Sequence, residues 1–280
     1  MILIDMSQVI LGNVFGYARD ISKIDEDVVR HMTLNSLRMY KNKFEKKYGD
    51  MVLVFDSGDY WRKEEFPHYK GTRKVKQNED KELWSNLWNI VATVREELEK
   101  NFPYKVMRVP RAEADDIIAY LTKKYHQEGV LIISSDKDFQ QLQRYSGVKQ
   151  YSPKKKGNMV CGNPKEFLIE HIIRGDSSDG IPNILSDDDT LMNEEKRQRP
   201  ITKSVIKSVT EDLAFGELPK GYEENWKRNQ TLVDLDKIPD WINTKIEEAW
   251  NEPIVGKRNR LFNYFIKHKL KNLMESIEEF

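Results

Sequence analysis

One cysteine in 280 residues, Cys161, leaves no partner for an internal disulfide and too few thiolates for a cysteine zinc site. A reducing cytoplasm suits such a chain. No apolar run approaches the roughly 20 residues of a membrane span. The opening Met1-Ile2-Leu3-Ile4 meets Asp5 too soon to form the hydrophobic stretch of a signal peptide. The chain therefore reads as soluble and intracellular, with no membrane partner. A surplus of either charge is also missing, since Lys plus Arg and Asp plus Glu number 46 each. Partners have to be sought in how charge is distributed. Internal repeats and low-complexity tracts are absent as well.

Short apolar runs predict buried strands over 2–4, 51–55, 104–109 and 130–133, with helices over 26–48, 81–100 and 113–125 between them. Strand alternating with helix predicts an α/β fold, a mostly parallel sheet covered on both faces. That unit covers about 1–160, and a smaller helical region covers 161–280. After Tyr151 the strand signal fades. Asn163-Pro164 with Glu166 marks a helix start, and the helix EFLIEHIIR stops at Gly175. Segment 185–200, with its acid run Asp187-Asp188-Asp189, reads as a mobile loop. From about Ile238 the spacing is helical again.

Two strands end directly in an acid, ILID at Asp5 and VLVFD at Asp56, and a third ends in LIISSDKD with Asp136 and Asp138. The carboxyl ends of parallel strands are where such sheets bind ligands. Asp136 and Asp138 face one way in an extended segment. Glu113 and Asp116, three apart in EADD, share a face at a helix start. Each acid alone suits a helix cap. Together they would repel strongly unless a cation neutralised them. Oxygen ligands suit Mg²⁺ or Mn²⁺, and a cluster this large predicts two ions, the arrangement for in-line displacement at phosphorus.

Beyond Asp56 comes a basic run, Arg62, Lys63, Lys70, Arg73, Lys74 and Lys76, which Pro67 and Gly71 keep from forming one helix. It reads as a phosphate-binding cover, with Tyr60, Trp61 and Tyr69 free to stack on unpaired bases. Trp84 and Trp88, four apart, read as packing residues. Lys154-Lys155-Lys156 and the tail cations Lys257, Arg258, Arg260, Lys267, Lys269 and Lys271 are further basic stretches.

The ordered set ILID, VLVFD, PHYKGTR, EADD, SSDKDF and GDSSDGIP resembles the flap endonuclease family of 5′ nucleases, and within it the ribonuclease H proteins of T4-like phages. The likeness runs over nearly the whole chain, to the tail LFNYFIKHKLKNLMESIEEF. It implies a PIN-like 5′ nuclease core with a basic arch at about 57–95. Asp5, Asp56, Asp116 and Asp136 then match the first metal site with Glu113 beside it, and Asp138, Asp176 and Asp179 match the second. Lys70 and Arg73 match arch residues that contact the scissile phosphate, and Arg62, Lys63 and Lys74 extend that basic surface. The implied activity is 5′-to-3′ exonuclease and flap endonuclease hydrolysis with two Mg²⁺ ions, for which Mn²⁺ substitutes. Its role would be to remove RNA primers and adjoining DNA during lagging-strand replication in a host bacterial cytoplasm. Implied partners are branched or nicked DNA and RNA–DNA duplex with a 5′ end or flap, a single-stranded-DNA-binding protein and a sliding clamp, met by a monomer.

The chain departs from the family after GDSSDGIPN, where the glycine signature of the helix-three-turn-helix is replaced by NILSDDDTLMNEEKRQRP. Only PITKSVIKSV is left to form the second helix, with Lys203 and Lys207 as its backbone contacts, so the resemblance does not by itself imply the family's potassium site or its standard duplex grip. The sequence also starts at the first strand, where the phage enzymes carry extra residues, so a clamp contact made by such an extension is not implied. Two rivals fit less well. A phosphatase of the haloacid dehalogenase class needs a second acid where Ser7 stands. A non-catalytic DNA-structure-binding protein has no use for so many like charges held together.

Overall fold

The computed structural model describes residues 1–17 and 24–280, the side chain of Lys76 excepted. The four apolar runs form β1 (Ile2–Asp5), β2 (Met51–Val54), β3 (Lys105–Met107) and β4 (Val130–Ile133). All residues of β1, β2 and β4 are buried, because helices cover both faces of the sheet; such strands need no polar alternation. Two further strands, β5 (Val148–Ser152) and β6 (Gly157–Met159), escape sequence reading because they are short and carry polar residues. The sheet order is β3-β2-β1-β4-β5-β6, parallel throughout except for the β5–β6 hairpin. It grows outward in both directions from β1 and β4, so its crevice opens at the carboxyl ends of those two strands.

Helix α1 (Met6–Tyr17) starts directly after Asp5 and was not expected. Helix α2 (Glu26–Tyr48) follows, with the Asp25 side chain accepting from the Asp27 amide as its cap. The basic segment breaks at Pro67, as predicted, into α3 (Arg62–Glu65) and α4 (Gly71–Glu79), and α5 (Lys81–Asn101) returns to the sheet. Helix α6 (Ala114–Tyr125) lies on the opposite face. Asn163 caps α7 (Pro164–Arg174), which ends at Gly175 with φ +65°. The helices α8 (Lys203–Ala214), α9 (Glu223–Val233), α10 (Asp240–Asn251), α11 (Leu261–Lys267) and α12 (Lys271–Met274) complete the chain. PITKSVIKSV does supply a helix, and 185–200 has no regular element; Lys196 pairs there with Asp187 and Asp189.

Alternate strand residues point to opposite layers. Ile2, Ile4 and Leu53 pack with α1, α2, α5 and the tail residues Leu261, Phe265 and Phe280. Leu3, Val52 and Ile132 pack with α6 and with Ile242 and Ile246 of α10. A third cluster joins Phe66 and Tyr69 to Ile172 and Ile173 of α7 and to Trp226 and Leu232 of α9. This last cluster sets the basic segment around Phe66 and Tyr69 against the helical region.

Arg30, buried in α2, is held across the sheet's helical layer by Glu97 of α5, its Nε and Nη2 donating at 2.6 and 2.8 Å. Tyr264 of α11 donates to the same carboxylate at 2.7 Å. Among the described residues, Glu97→Ala leaves that guanidinium with the outer carboxylates of Glu26 and Asp27 alone, so it should destabilise the fold by about 3 kcal/mol. A urea midpoint within error of the parent would show that those two acids suffice.

Candidate active site

Asp5 is the last residue of β1, and Asp56 lies two residues past β2. Asp136 follows the neighbouring strand β4 by three. Strand register therefore gathers three acids that are far apart in sequence. Each is fixed from behind. Asp5 accepts from the Gln8 amide and the Ser134 hydroxyl at 3.1 Å, and Asp56 accepts at 2.9 Å from the amide of Ala114, where α6 begins. Asp136 accepts from the Asp138 amide at 3.0 Å.

These acids line a cleft of about 840 Å³ together with Asp115 and Asp179, and Lys63, Lys70, Arg73 and Lys74 line it as well. Burial and then the nearby Asp56 push the Asp5 carboxyl up to about 7. Burial and then Asp138 push Asp136 up to about 6, and burial and then Asp136 hold Asp115 well above the usual range. Carboxylates so destabilised in their charged form call for positive charge among them. An all-oxygen set of this kind fits hard divalent cations.

Asp116 is not part of that set, which corrects the sequence reading. It is fully buried, with Oδ2 accepting from Trp61 Nε1 at 3.0 Å and from the Glu113 amide at 2.9 Å. Its Oδ1 faces Arg62 Nη2 at 2.8 Å. The three-residue spacing that suggested a shared ligand face is instead that of a capping box: Glu113 is the N-cap of α6 and the Asp116 side chain returns to its amide. Asp115, about 100° further round the helix than Ala114, takes the cleft position. Its signal was the first Asp of EADD, passed over because the three-residue spacing from Glu113 favoured the second.

Arg62 is a second correction. At 2% exposure it reaches no nucleic acid. It pairs with Glu113 at 2.7 Å and with Asp116, and its Nε donates to the Leu232 carbonyl at 2.9 Å. Glu113 also accepts from the Tyr69 hydroxyl at 2.8 Å and from Lys70 Nζ. Although burial opposes it, Lys70 and then Arg62 hold the Glu113 carboxyl well below its ordinary range. Glu113 is thus an anchor for cations and not a ligand. Trp61 and Tyr69 are buried too, leaving Tyr60 as the cleft aromatic of that trio. Trp88, read as packing, is 38% exposed and lines the cleft, stacked on Trp84. Arg95 and Arg108 line it as well and carried no sequence signal.

Lys70 stands in the left-handed region with φ 54°, a conformation costly for a residue with a Cβ. Its amide donates to the Asp179 carbonyl at 2.6 Å, and its ammonium lies 4.0 Å from the Asp179 carboxylate. Arg73 pairs with the same carboxylate and donates from Nε to the Ser178 carbonyl at 2.9 Å. Gly180 permits this approach: a Cβ there would sit 2.8 Å from the His68 carbonyl oxygen. Asp138 and Asp176 group instead with His171, a residue the sequence reading missed, while Asp179 stays with Lys70 and Arg73. Lys203 and Lys207 are exposed on α8, and Lys207 faces Glu211; neither lines the cleft, nor do Lys154–Lys156 or the tail cations.

Residues 1–169 match the family model of the 5′-3′ exonuclease N-terminal, resolvase-like domain, and residues 162–280 match that of the T4 RNase H C-terminal region. The chain belongs to the 5′–3′ exonuclease family. As a member of it, the chain is a metal-dependent nuclease. It is 33% identical to Ribonuclease H of Enterobacteria phage T4 over 99% of its own length and 95% of the relative's. It is 32% identical to the 5′-3′ exonuclease of Buchnera aphidicola subsp. Schizaphis graminum, over 53% of each chain. Among solved structures, a T5 5′-exonuclease with bound zinc aligns with TM-score 0.63 at 19% identity, over 91% of this chain and 99% of that one. A phage T5 flap endonuclease in a pseudo-enzyme–product complex with DNA and metal ions aligns with TM-score 0.62 at 18% identity, over 90% and 99%. The six-stranded sheet with its helical C-terminal region is thus the fold of this exonuclease family.

Two adjacent substitutions separate the roles of the EADD acids. Asp116→Asn breaks a buried ion pair and should cost about 3 kcal/mol of stability. Asp115→Asn removes a repelled carboxylate and should leave the metal-free protein at least as stable as the parent. Urea melts in EDTA read both; the opposite ranking would return Asp116 to the cleft.

Proposed function

We propose that this nuclease hydrolyses phosphodiesters at the 5′ ends and 5′ flaps of branched or nicked DNA and RNA–DNA duplex with two Mg²⁺ ions. In that reading it removes RNA primers and adjoining DNA during lagging-strand replication. The observation that carries it is the composition of one cleft, a floor of carboxylates beneath a wall of cations. Asp5, Asp56, Asp115 and Asp136 would hold the first ion, and Asp138 and Asp176, with Asp179 between the two groups, the second. When bound, such ions neutralise phosphoryl oxygens and make water a stronger acid.

The chain's own residues supply the rest. Lys70, pinned by Glu113 and by its left-handed backbone, presents an ammonium at the cleft edge, where it would offset charge building on the phosphate. Arg73, half exposed, would meet the neighbouring phosphate, with Lys63 and Lys74 extending the track. Tyr60 and Trp88 offer ring faces to unpaired bases. Relationship to the phage T4 Ribonuclease H supports the replication role. With that role come a single-stranded-DNA-binding protein and a sliding clamp as partners, a working monomer and a host cytoplasmic site. No helix of the described residues is long and apolar enough to cross a membrane.

A 5′-labelled flap substrate should be cut with Mg²⁺ and left intact with EDTA, and Asp56→Asn should abolish cutting while preserving the fold. Lys70→Ala should lower turnover by roughly a hundredfold or more, and weaken binding far less. An equal loss in both would make Lys70 a phosphate anchor only.

The pH dependence follows from the raised carboxyls. An unfolded Asp ionises near 3.8, whereas Asp5 resists ionisation up to about 7. Stability of the metal-free protein should therefore fall as pH rises from about 4 to about 7 and level off above that. Bound Mg²⁺ removes the cause, so its increment in Tm should be larger at pH 8 than at pH 6. Equal increments at both pH values would show that Asp5 and Asp136 do not face the ion.

A further inference from the structure

Beside the cleft, three donor atoms converge that the oxygen-only picture of the site does not cover. His171 sits in the last turn of α7, 6% exposed, with Nε2 turned toward the acids. Nε2 lies 2.9 Å from Asp138 Oδ1 and 3.7 Å from Asp176 Oδ2, and one donor atom from each residue falls within 4.8 Å of the others. Nε2 and the facing Asp138 Oδ1 are both buried, yet they are not aligned as a hydrogen bond. Asp176 is set from its other oxygen, which accepts from the Ser178 amide at 2.8 Å and the Ser178 hydroxyl at 2.6 Å. That leaves Oδ2 turned inward, approached by the half-exposed Lys137 ammonium at 3.0 Å, which can swing away.

Adjacent donors on one six-coordinate ion, each about 2.1 Å from it, stand roughly 3 Å apart. The His171–Asp138 separation fits that spacing, and a small closure would bring in Asp176. We propose that His171 supplies a nitrogen ligand to the second ion, so that this position takes a first-row transition ion such as Mn²⁺ in preference to Mg²⁺. The proposal rests on the reading of Asp138 and Asp176 as second-ion residues. Its physical basis is that Mg²⁺ favours oxygen and keeps its waters, whereas imidazole suits later divalent ions. The Asp5, Asp56, Asp115 and Asp136 group has no such nitrogen and would stay indifferent between the two metals.

The test is Mn²⁺ titration of the full chain, with the bound ions examined by electron spin-echo modulation for ¹⁴N coupling. Two Mn²⁺ equivalents should bind, one of them coupled to nitrogen, and labelling histidine with ¹⁵N should replace that signal. His171→Gln should remove it and weaken the second Mn²⁺ equivalent by about tenfold or more, while Mg²⁺ affinity changes by less than about twofold. The ¹⁵N exchange decides the matter even if that variant folds poorly. Two equivalents without nitrogen coupling would overturn the role of His171 and leave the two-ion reading standing. A single equivalent would overturn both.

Discussion

Asp5, Asp56, Asp115 and Asp136 crowd into one cleft, and burial makes their mutual repulsion costly. Burial and neighbouring acids push Asp5 and Asp136 up to about 7 and about 6. A fold that needed only stability would have no reason to hold them there. The parallel sheet fixes them by register, with Asp5 ending β1 beside β2 and β4. The rest of the structure either braces these acids or supplies the opposite charge, so the repulsion is the constraint to which the remaining parts answer.

The bracing runs through Glu113. This carboxylate ties the start of α6 to three cations or donors of the basic segment, Arg62, Tyr69 and Lys70. Arg62 in turn grips Asp116 and the Leu232 carbonyl of α9. One buried network thus sets the acidic floor, the basic wall and the helical region in fixed relation. Pairs of this kind bring little net stability. Their value here is position, since Lys70 reaches the cleft edge only because Glu113 and the Asp179 carbonyl hold it there.

Much of this was legible in the sequence because it rests on periodicity. Buried strands announce themselves as apolar runs, and an acid ending such a run, like Asp5 or Asp56, is placed by the sheet. The breaks at Pro67 and Gly71 and the capped start at Asn163 were legible for the same local reasons. What failed did so where tertiary packing decides between equal local options. Asp115 and Asp116 are adjacent, and only the partnership of Arg62 and Trp61 turns Asp116 inward. Arg62 looks like any cation of a basic run until α9 covers it. His171 reads as one polar residue of an amphipathic helix, and Trp88 as one of a packing pair. β5 and β6 lack the apolar signature because the first is polar and the second spans only Gly157–Met159.

The chemistry of the cleft turns on which acids face the metal. A crystal of this chain soaked in Mn²⁺, with an anomalous difference map at the manganese edge, tests that directly. A peak is expected among the carboxylates of Asp5, Asp115 and Asp136, with Asp116 still held by Arg62 and Trp61. A peak coordinated by Asp116, or no peak among the strand-end carboxylates, would contradict this assignment.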